Sequence, residues 1–416
     1  MTEKGAGAVG RPVIAALLAG GKGTRFWPAS RAENPKQFLR LLGDRSLLRE
    51  AYERFLRVLP PERILIVTGL AYAERTRQEL AEMPAANLIL EPSGRDTAPA
   101  AVLAVRAAAA MADDPVVIIA PTDHHIADTA AFDRALAAGI GAAEAGALVT
   151  FGIVPDRPAT VYGYIEVEKT AQRPVESLPV LRFREKPDAQ EAARFLATGR
   201  FFWNAGIFVW RASVFDAALA AASPALHEAA RRLPPPTGAT SGPEDATAKT
   251  GASSFPPGFE KAWEALPAIS IDYALMEKAA GVRVVPLKAG WSDLGGWDAV
   301  REFLPEDGDG NRTVPGALFV GSSGCSVHRA GRSGGAASSG ASKISEAPGA
   351  SKTPGAPETA GTSENAGKPR LIALVGCEGL IVVETPDALL VCREGTGEAL
   401  REVVKRLRSG GREDLL

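Results

Sequence analysis

From residue 12 to about residue 152, this chain of 416 residues alternates short apolar runs with helical patterns. The runs Val13–Leu18, Ile64–Val67, Leu88–Leu90, Val116–Ala120 and Leu148–Gly152 are dominated by Val, Ile, Leu and Ala, as strands covered on both faces are. Between the first two, Ser46 stands where a helix cap belongs, and Leu47, Leu48, Ala51, Tyr52, Phe55, Leu56 and Leu59 follow the 3.6-residue period. Alanine-rich helices at Ala98–Ala112 and Phe132–Ala145 fill later gaps. Regular βαβ alternation implies an α/β fold with a mainly parallel sheet, helices on both faces, and ligands gathered at the carboxyl ends of the strands.

The first strand runs into LAGGKGTRFWPASRAENPKQ, residues 18–37. Gly20, Gly21 and Gly23 allow a sharp turn that exposes N–H groups to an anion, and Lys22, Arg25 and Lys36 supply charge. Two common phosphate templates fail: no Gly-Lys-Ser/Thr ends the loop, and Phe26 stands where a dinucleotide fingerprint needs its third glycine. The pattern GGxGTRxWPxSxxxPKQ closely resembles the signature loop of sugar-1-phosphate nucleotidylyltransferases, and its Phe-Trp-Pro and Pro-Lys-Gln details are similar to the mannose-1-phosphate guanylyltransferase branch. That resemblance implies a Rossmann-like nucleotidyltransferase domain over residues 12–304 with a small partial left-handed β-helix behind it. It also implies nucleotide binding by Leu18, Gly20, Gly21, Gly23 and Thr24, with Arg25 and Lys36 as catalytic cations on the departing pyrophosphate.

EPSGRDTAPA, residues 91–100, resembles the family segment that lies against base and ribose, which adds Arg95 and Asp96 to the nucleotide site. Asp96 replaces the usual asparagine. A carboxylate can accept both guanine donors, N1–H and the N2 amino group, but aspartate before Thr97-Ala98-Pro99 also suits a helix cap, and both readings stand. PTDHHI, residues 121–126, puts Asp123 at a strand end, and WSDLGGW, residues 291–297, contributes Asp293. Two carboxylates converging on phosphates suit Mg²⁺, and by resemblance these are the metal aspartates. His124 and His125 are adjacent and point in different directions, while His227 and His328 lie in unrelated contexts, so a histidine metal site is not expected.

The sugar side rests on three motifs. In FGIVPDRPATVYGYIE, residues 151–166, Gly163 lets a hexose approach the backbone, although Val161-Tyr162 departs from the family's Thr-Gly pair. FREKPD, residues 183–188, provides Glu185 for sugar hydroxyls and Lys186 for the sugar phosphate. FFWNAGIFVW, residues 201–210, provides Asn204, whose amide can donate and accept, while two of Trp203, Phe208 and Trp210 are expected to be plain core.

Residues 234–258 read as a flexible loop, and residues 329–369 consist almost entirely of Gly, Ala, Ser, Thr, Pro, Lys and Glu. Such a tract cannot bury enough apolar surface to order itself. It reads as a disordered insertion in a β-rich unit over 305–416, with strand-like Ala317–Val320, Leu371–Val375, Leu380–Val383 and Leu389–Val391 and a last helix around Glu398–Arg408. A hydrophobic content of 46% and a net charge of -2 describe an ordinary globular chain. No dense basic patch calls for nucleic acid, and no apolar stretch approaches the ~18 residues of a membrane span. The apolar run VIAALLAG after Lys4 and Arg11 leads straight into the glycine loop and reads as a strand, not a secretory signal. Cys325, Cys377 and Cys392 lack CxxC spacing, which fits a reduced, cytoplasmic protein.

The expected activity is transfer of GMP from GTP to mannose 1-phosphate with Mg²⁺, in a form with no isomerase domain, and with a homodimer among the options. Two alternatives stay open. One is an enzyme for another hexose 1-phosphate or base, such as glucose 1-phosphate with UTP or dTTP. The other is a catalytically silent GDP-mannose sensor, which would be expected to have lost a metal aspartate or loop cation, whereas Arg25, Lys36, Asp123, Lys186 and Asp293 are all present.

Overall fold

The computed structural model describes residues 10–21, 23–168, 176–234, 255–313, 316–331, 370–397 and 399–416. Lys22, and the expected loop and insertion over their residues 235–254 and 332–369, lie outside the described residues. The chain divides into two compact units, the first built from residues up to Gly23, Ala32–Leu39 and Arg45–Gly295.

The first unit opens with β1 (Val13–Ala19), α1 (Leu47–Leu56), β2 (Ile64–Gly69), α2 (Ala73–Glu79), β3 (Leu88–Glu91), α3 (Thr97–Met111) and β4 (Val116–Pro121). Ser46 caps α1 by accepting from the Arg49 backbone N–H at 3.1 Å. The four strands pair in parallel in the order β3-β2-β1-β4. Successive side chains on a strand point to opposite faces, and each face has its own core. Ala98, Ala101 and Ala104 of α3 pack on one side, and Leu48, Tyr52 and Phe55 of α1 with Phe132 on the other.

After β5 (His125–Ile126) and α4 (Thr129–Glu144) come β6 (Leu148–Ile153), β7 (Tyr164–Val167), β8 (Leu178–Arg184), α5 (Ala189–Thr198), β9 (Phe201–Arg211), β10 (Val282–Pro286) and β11 (Trp291–Ser292). The sheet continues β9-β6-β10-β8-β7. Here β9 runs antiparallel to β4, β6 and β7, and β8 runs antiparallel to β7 and β10. The nine-stranded sheet is therefore mixed, parallel in its first half, which corrects the expectation of a mainly parallel one. Eleven residues long, β9 pairs with β7 near its start and with β4 near its end, a direction set by partners distant in sequence.

The second unit comprises Thr24–Arg31, Arg40–Asp44 and Gly296–Leu416. Strands Arg312–Thr313, Ser326–Arg329 and Leu380–Glu384 stack in parallel, and Ala317–Val320 pairs in parallel with Ile372–Val375. Gly321 and Gly376, then Gly324 and Gly379, take matching left-handed turns with φ of +57°, +65°, +60° and +60°. Each coil repeats the last, as in a β-helix. Cys325, Val327, Leu374 and Val382 form its buried core, and the helix Ala399–Ser409 follows.

Candidate active site

A cavity of about 700 Å³ opens at the carboxyl ends of β1 to β4. Leu18, Gly20 and Gly21 line it from the first turn, Gly69 to Tyr72 from the end of β2, Glu91 to Thr97 from the end of β3, and Asp123 and His124 from the end of β4. Parallel strands deliver their loops to one edge, so residues far apart in sequence meet there. Gly21 has φ +111°, a value that favours glycine. A Cβ on Gly23 would lie 2.7 Å from the Lys36 Cβ and 2.8 Å from its backbone nitrogen, so only glycine lets Lys36 approach the loop.

Lys36 joins the two candidate metal aspartates. Its Nζ donates to Asp123 Oδ2 at 2.9 Å and to the Asp293 carbonyl at 2.6 Å. Asp293 reaches this position because β11 pairs with β5, with Ser292 opposite His125. Asp293 Oδ1 accepts from the Tyr162 hydroxyl at 2.8 Å, so Tyr162 orients this carboxylate. Burial pushes the Asp123 carboxyl up, but the Lys36 ammonium beside it outweighs that and holds it below the usual carboxylate range. The donor set suits a hard divalent ion, which takes one or two carboxylates and completes its shell with phosphate oxygens and water. His124 is occupied otherwise: its Nδ1 accepts from the Trp291 indole N–H at 3.2 Å. Indole nitrogen only donates, so that face of the imidazole is deprotonated.

On the sugar side, Lys186 Nζ pairs with Glu185 Oε1 at 2.9 Å, and the Glu185 side chain is only 7% exposed. A Cβ on Gly163 would stand 2.5 Å from Glu185 Oε2. The Glu185 carboxylate thus packs directly against this glycine. The Asn204 amide is oriented on both sides. Its Oδ1 accepts from Thr150 Oγ1 at 2.8 Å and from the Gly206 N–H at 3.2 Å, while Nδ2 donates to Asp272 Oδ1 at 2.9 Å. Trp203 and Trp210 are buried, and Phe208 lines the cavity.

At the nucleotide end, Arg95 lines the cavity and donates to the Leu266 carbonyl at 3.1 Å. Asp96 Oδ1 accepts from the Thr97 N–H at 2.7 Å, a cap bond, and its side chain also lines the cavity. Among the described residues, four non-glycines have left-handed φ, and three of them, Asp96 (+67°), Lys186 (+43°) and Leu294 (+43°), sit in the site motifs. Such strain persists where surrounding structure over-determines it, and it clusters at functional sites. Asp96→Ala is expected to lose about 1 kcal/mol with the cap, and Asp96→Gly less because glycine adopts this φ freely. Urea unfolding midpoints check the pair. Equal losses would discount the strain, and unchanged GTP affinity in Asp96→Ala would leave Asp96 a cap alone.

Thr24 and Arg25 belong to the second unit, in the short helix Thr24–Phe26, where Phe26 meets Trp297 edge-on at 5.2 Å. Two acidic residues of the cavity were not singled out as site residues from sequence. Glu91, at the end of β3, is buried, its Oε1 has no hydrogen-bond partner among the described residues, and burial pushes its carboxyl up to about 7. Its position at a strand's carboxyl end was a usable signal. Asp272 carried none, being a single acid inside the largely apolar run LPAISIDYALM, residues 266–276.

A mixed Rossmann-like sheet with a glycine turn leading its first strand into a cavity walled by strand-end carboxylates defines a nucleotidyltransferase. The chain belongs to the nucleotidyl transferase family, whose model matches residues 14–309. A second model, the MannoseP isomerase/GMP-like beta-helix domain, matches residues 363–407. Xanthan biosynthesis protein XanB of Xanthomonas campestris pv. campestris is 36% identical over 404 residues, spanning 97% of this chain and 74% of that protein. Mannose-1-phosphate guanylyltransferase of Escherichia coli is 33% identical over 409 residues, spanning 97% and 75%. The crystal structure of mannose-1-phosphate geranyltransferase from Thermus thermophilus matches with a TM-score of 0.72 at 30% identity, covering 95% of this chain and 99% of that one. No helix among the described residues is long and apolar enough to cross a membrane.

Proposed function

We propose that residues 12–304 transfer GMP from GTP to mannose 1-phosphate, releasing pyrophosphate and forming GDP-mannose. The observation that carries this reading is the Asp123–Lys36–Asp293 linkage at the cavity edge, beside the chain's similarity to mannose-1-phosphate guanylyltransferases. A phosphate oxygen of the sugar phosphate attacks the α-phosphorus of GTP in line. The new P–O bond forms as the bond to the bridging α–β oxygen breaks, and pyrophosphate leaves with that electron pair. A phosphate monoester is a competent nucleophile near pH 7, so no side chain has to remove a proton.

Positioning and charge do the work. The amides of Gly20, Gly21 and Gly23 with Lys36 meet the phosphates that depart, and Lys186 steers the attacking one. Asp123 and Asp293 would hold Mg²⁺, whose positive charge would offset the negative charge that develops on the departing pyrophosphate. Glu185 and Asn204 face the hexose, Leu18 and Arg95 the nucleotide. Glu91 reads guanine: it lines the cavity wall, and a carboxylate there can accept from N1–H and the N2 amino group, while Asp96 spends an oxygen on its cap.

The test is pyrophosphate release from the full chain with each nucleoside triphosphate and each hexose 1-phosphate. GTP with mannose 1-phosphate is expected to be fastest, and a clear preference for UTP, dTTP or ATP would overturn the guanylyl assignment.

A further inference from the structure

Asp272 opens a π-helical turn, Asp272–Met276, a rare geometry often found at functional sites. The segment before it is tied to the start of α3. The Ile271 N–H donates to Thr97 Oγ1 at 2.9 Å, and the Ala98 N–H donates to the Ile269 carbonyl at 3.1 Å. Asp272 is thereby held in the cavity wall, between Asp96 of the nucleotide side and Glu185 and Lys186 of the sugar side. Burial and then Glu185 push its carboxyl up to about 7, and Asp96 adds to the rise. Placing a third acid between two others costs stability. Asn204 Nδ2 offsets part of that cost by donating to Oδ1, and Thr150 and Gly206 in turn fix the amide so that its nitrogen faces the acid.

We infer that Asp272 is a further substrate-recognition residue: with Oδ1 engaged by Asn204, its carboxylate accepts a hydrogen bond from a ring hydroxyl of the hexose phosphate at the junction of the two ligand sites. The inference rests on the sugar-phosphate reading above. It assigns Asn204 a second task, since the amide both faces the sugar and orients Asp272. A buried acceptor matched to a hydroxyl discriminates strongly against analogues that lack it.

The experiment compares Asp272→Asn and Asp272→Ala with the wild type in steady-state kinetics, using whichever triphosphate and hexose 1-phosphate the wild type turns over fastest. That choice separates the two readings, because the wild-type preference alone decides the guanylyl and mannose assignment. In Asp272→Ala the KM for the sugar phosphate is expected to rise about 10- to 100-fold, the effect of deleting a hydrogen bond to a charged group. The KM for the triphosphate should stay within about threefold. Singly deoxygenated hexose 1-phosphates identify the hydroxyl: one of them is a poor substrate for the wild type and suffers no further loss in the variant. An unchanged sugar-phosphate KM, equal rises in both KM values, or a rise confined to the triphosphate would overturn the assignment. If Asp272→Ala does not fold, Asp272→Asn gives the same reading, with thermal unfolding reporting that its fold is kept.

Discussion

Asp123→Asn and Asp293→Asn are each expected to lower turnover by about 10²-fold or more, the scale of deleting one group that stabilises charge in the transition state, with the fold intact. Asparagine keeps the shape of each side chain and an oxygen for its partner, Lys36 for Asp123 and the Tyr162 hydroxyl for Asp293. It removes the negative charge that a divalent ion needs. The effect should be largest at limiting Mg²⁺ and partly recovered as the ion is raised, because a weakened site fills by mass action. Thermal unfolding of the variants near the wild-type midpoint would confirm that the loss is chemical. Near-normal turnover of either variant at limiting Mg²⁺ would remove that aspartate from the metal site.

Glu91→Gln is expected to lower kcat/KM for GTP by roughly 10²-fold or more, since a site built for hydrogen bonds rejects a mismatched partner strongly. Glutamine faces guanine with one acceptor and one donor where two acceptors are wanted. Adenine presents an acceptor beside a donor, so the ratio of ATP to GTP use should climb in the same variant. An unchanged base preference would show that Glu91 does not read the base. The carboxyl also sets a pH dependence. Burial raises it from the usual 4.5 to about 7, so between those values the folded protein holds a proton that the unfolded chain has released. Its contribution to the stability of the ligand-free protein is fully present below about pH 4.5 and is lost as pH rises through about 7. Guanine reading needs the ionised form, so GTP affinity moves the opposite way and rises from about pH 6 to about pH 8. The wild type should show both trends more strongly than Glu91→Gln, measured by thermal unfolding and by titration with GTP.

The strands of the first half were legible because each is a run of apolar residues bounded by turn formers. Val13–Leu18, Ile64–Val67 and Val116–Ala120 appear at nearly those limits as β1, β2 and β4. Burial on both faces leaves a signal that does not depend on the partner. The caps at Ser46 and Asp96 were legible because they act on backbone groups one to three residues away. The glycine turn was legible because left-handed backbone has few other tenants. In the same way, a motif of several fixed positions pointed to the nucleotidyltransferase fold.

Pairing across the chain was not legible. Nothing in FFWNAGIFVW says that it lies antiparallel between β4 and β6, since a strand's apolar pattern is the same in either direction and its hydrogen-bond partners lie tens of residues away. The same holds for Gly163, whose missing side chain makes room for Glu185, and for Asp272, which meets Asn204 across 68 residues of sequence. The sequence by itself determined which segments are strands and helices, where the backbone turns, and which residue types can meet phosphates, because those properties are local. Tertiary structure alone decided which acids share one cavity and which of them carries a proton near neutral pH, because burial and charge coupling exist only once distant segments have packed together.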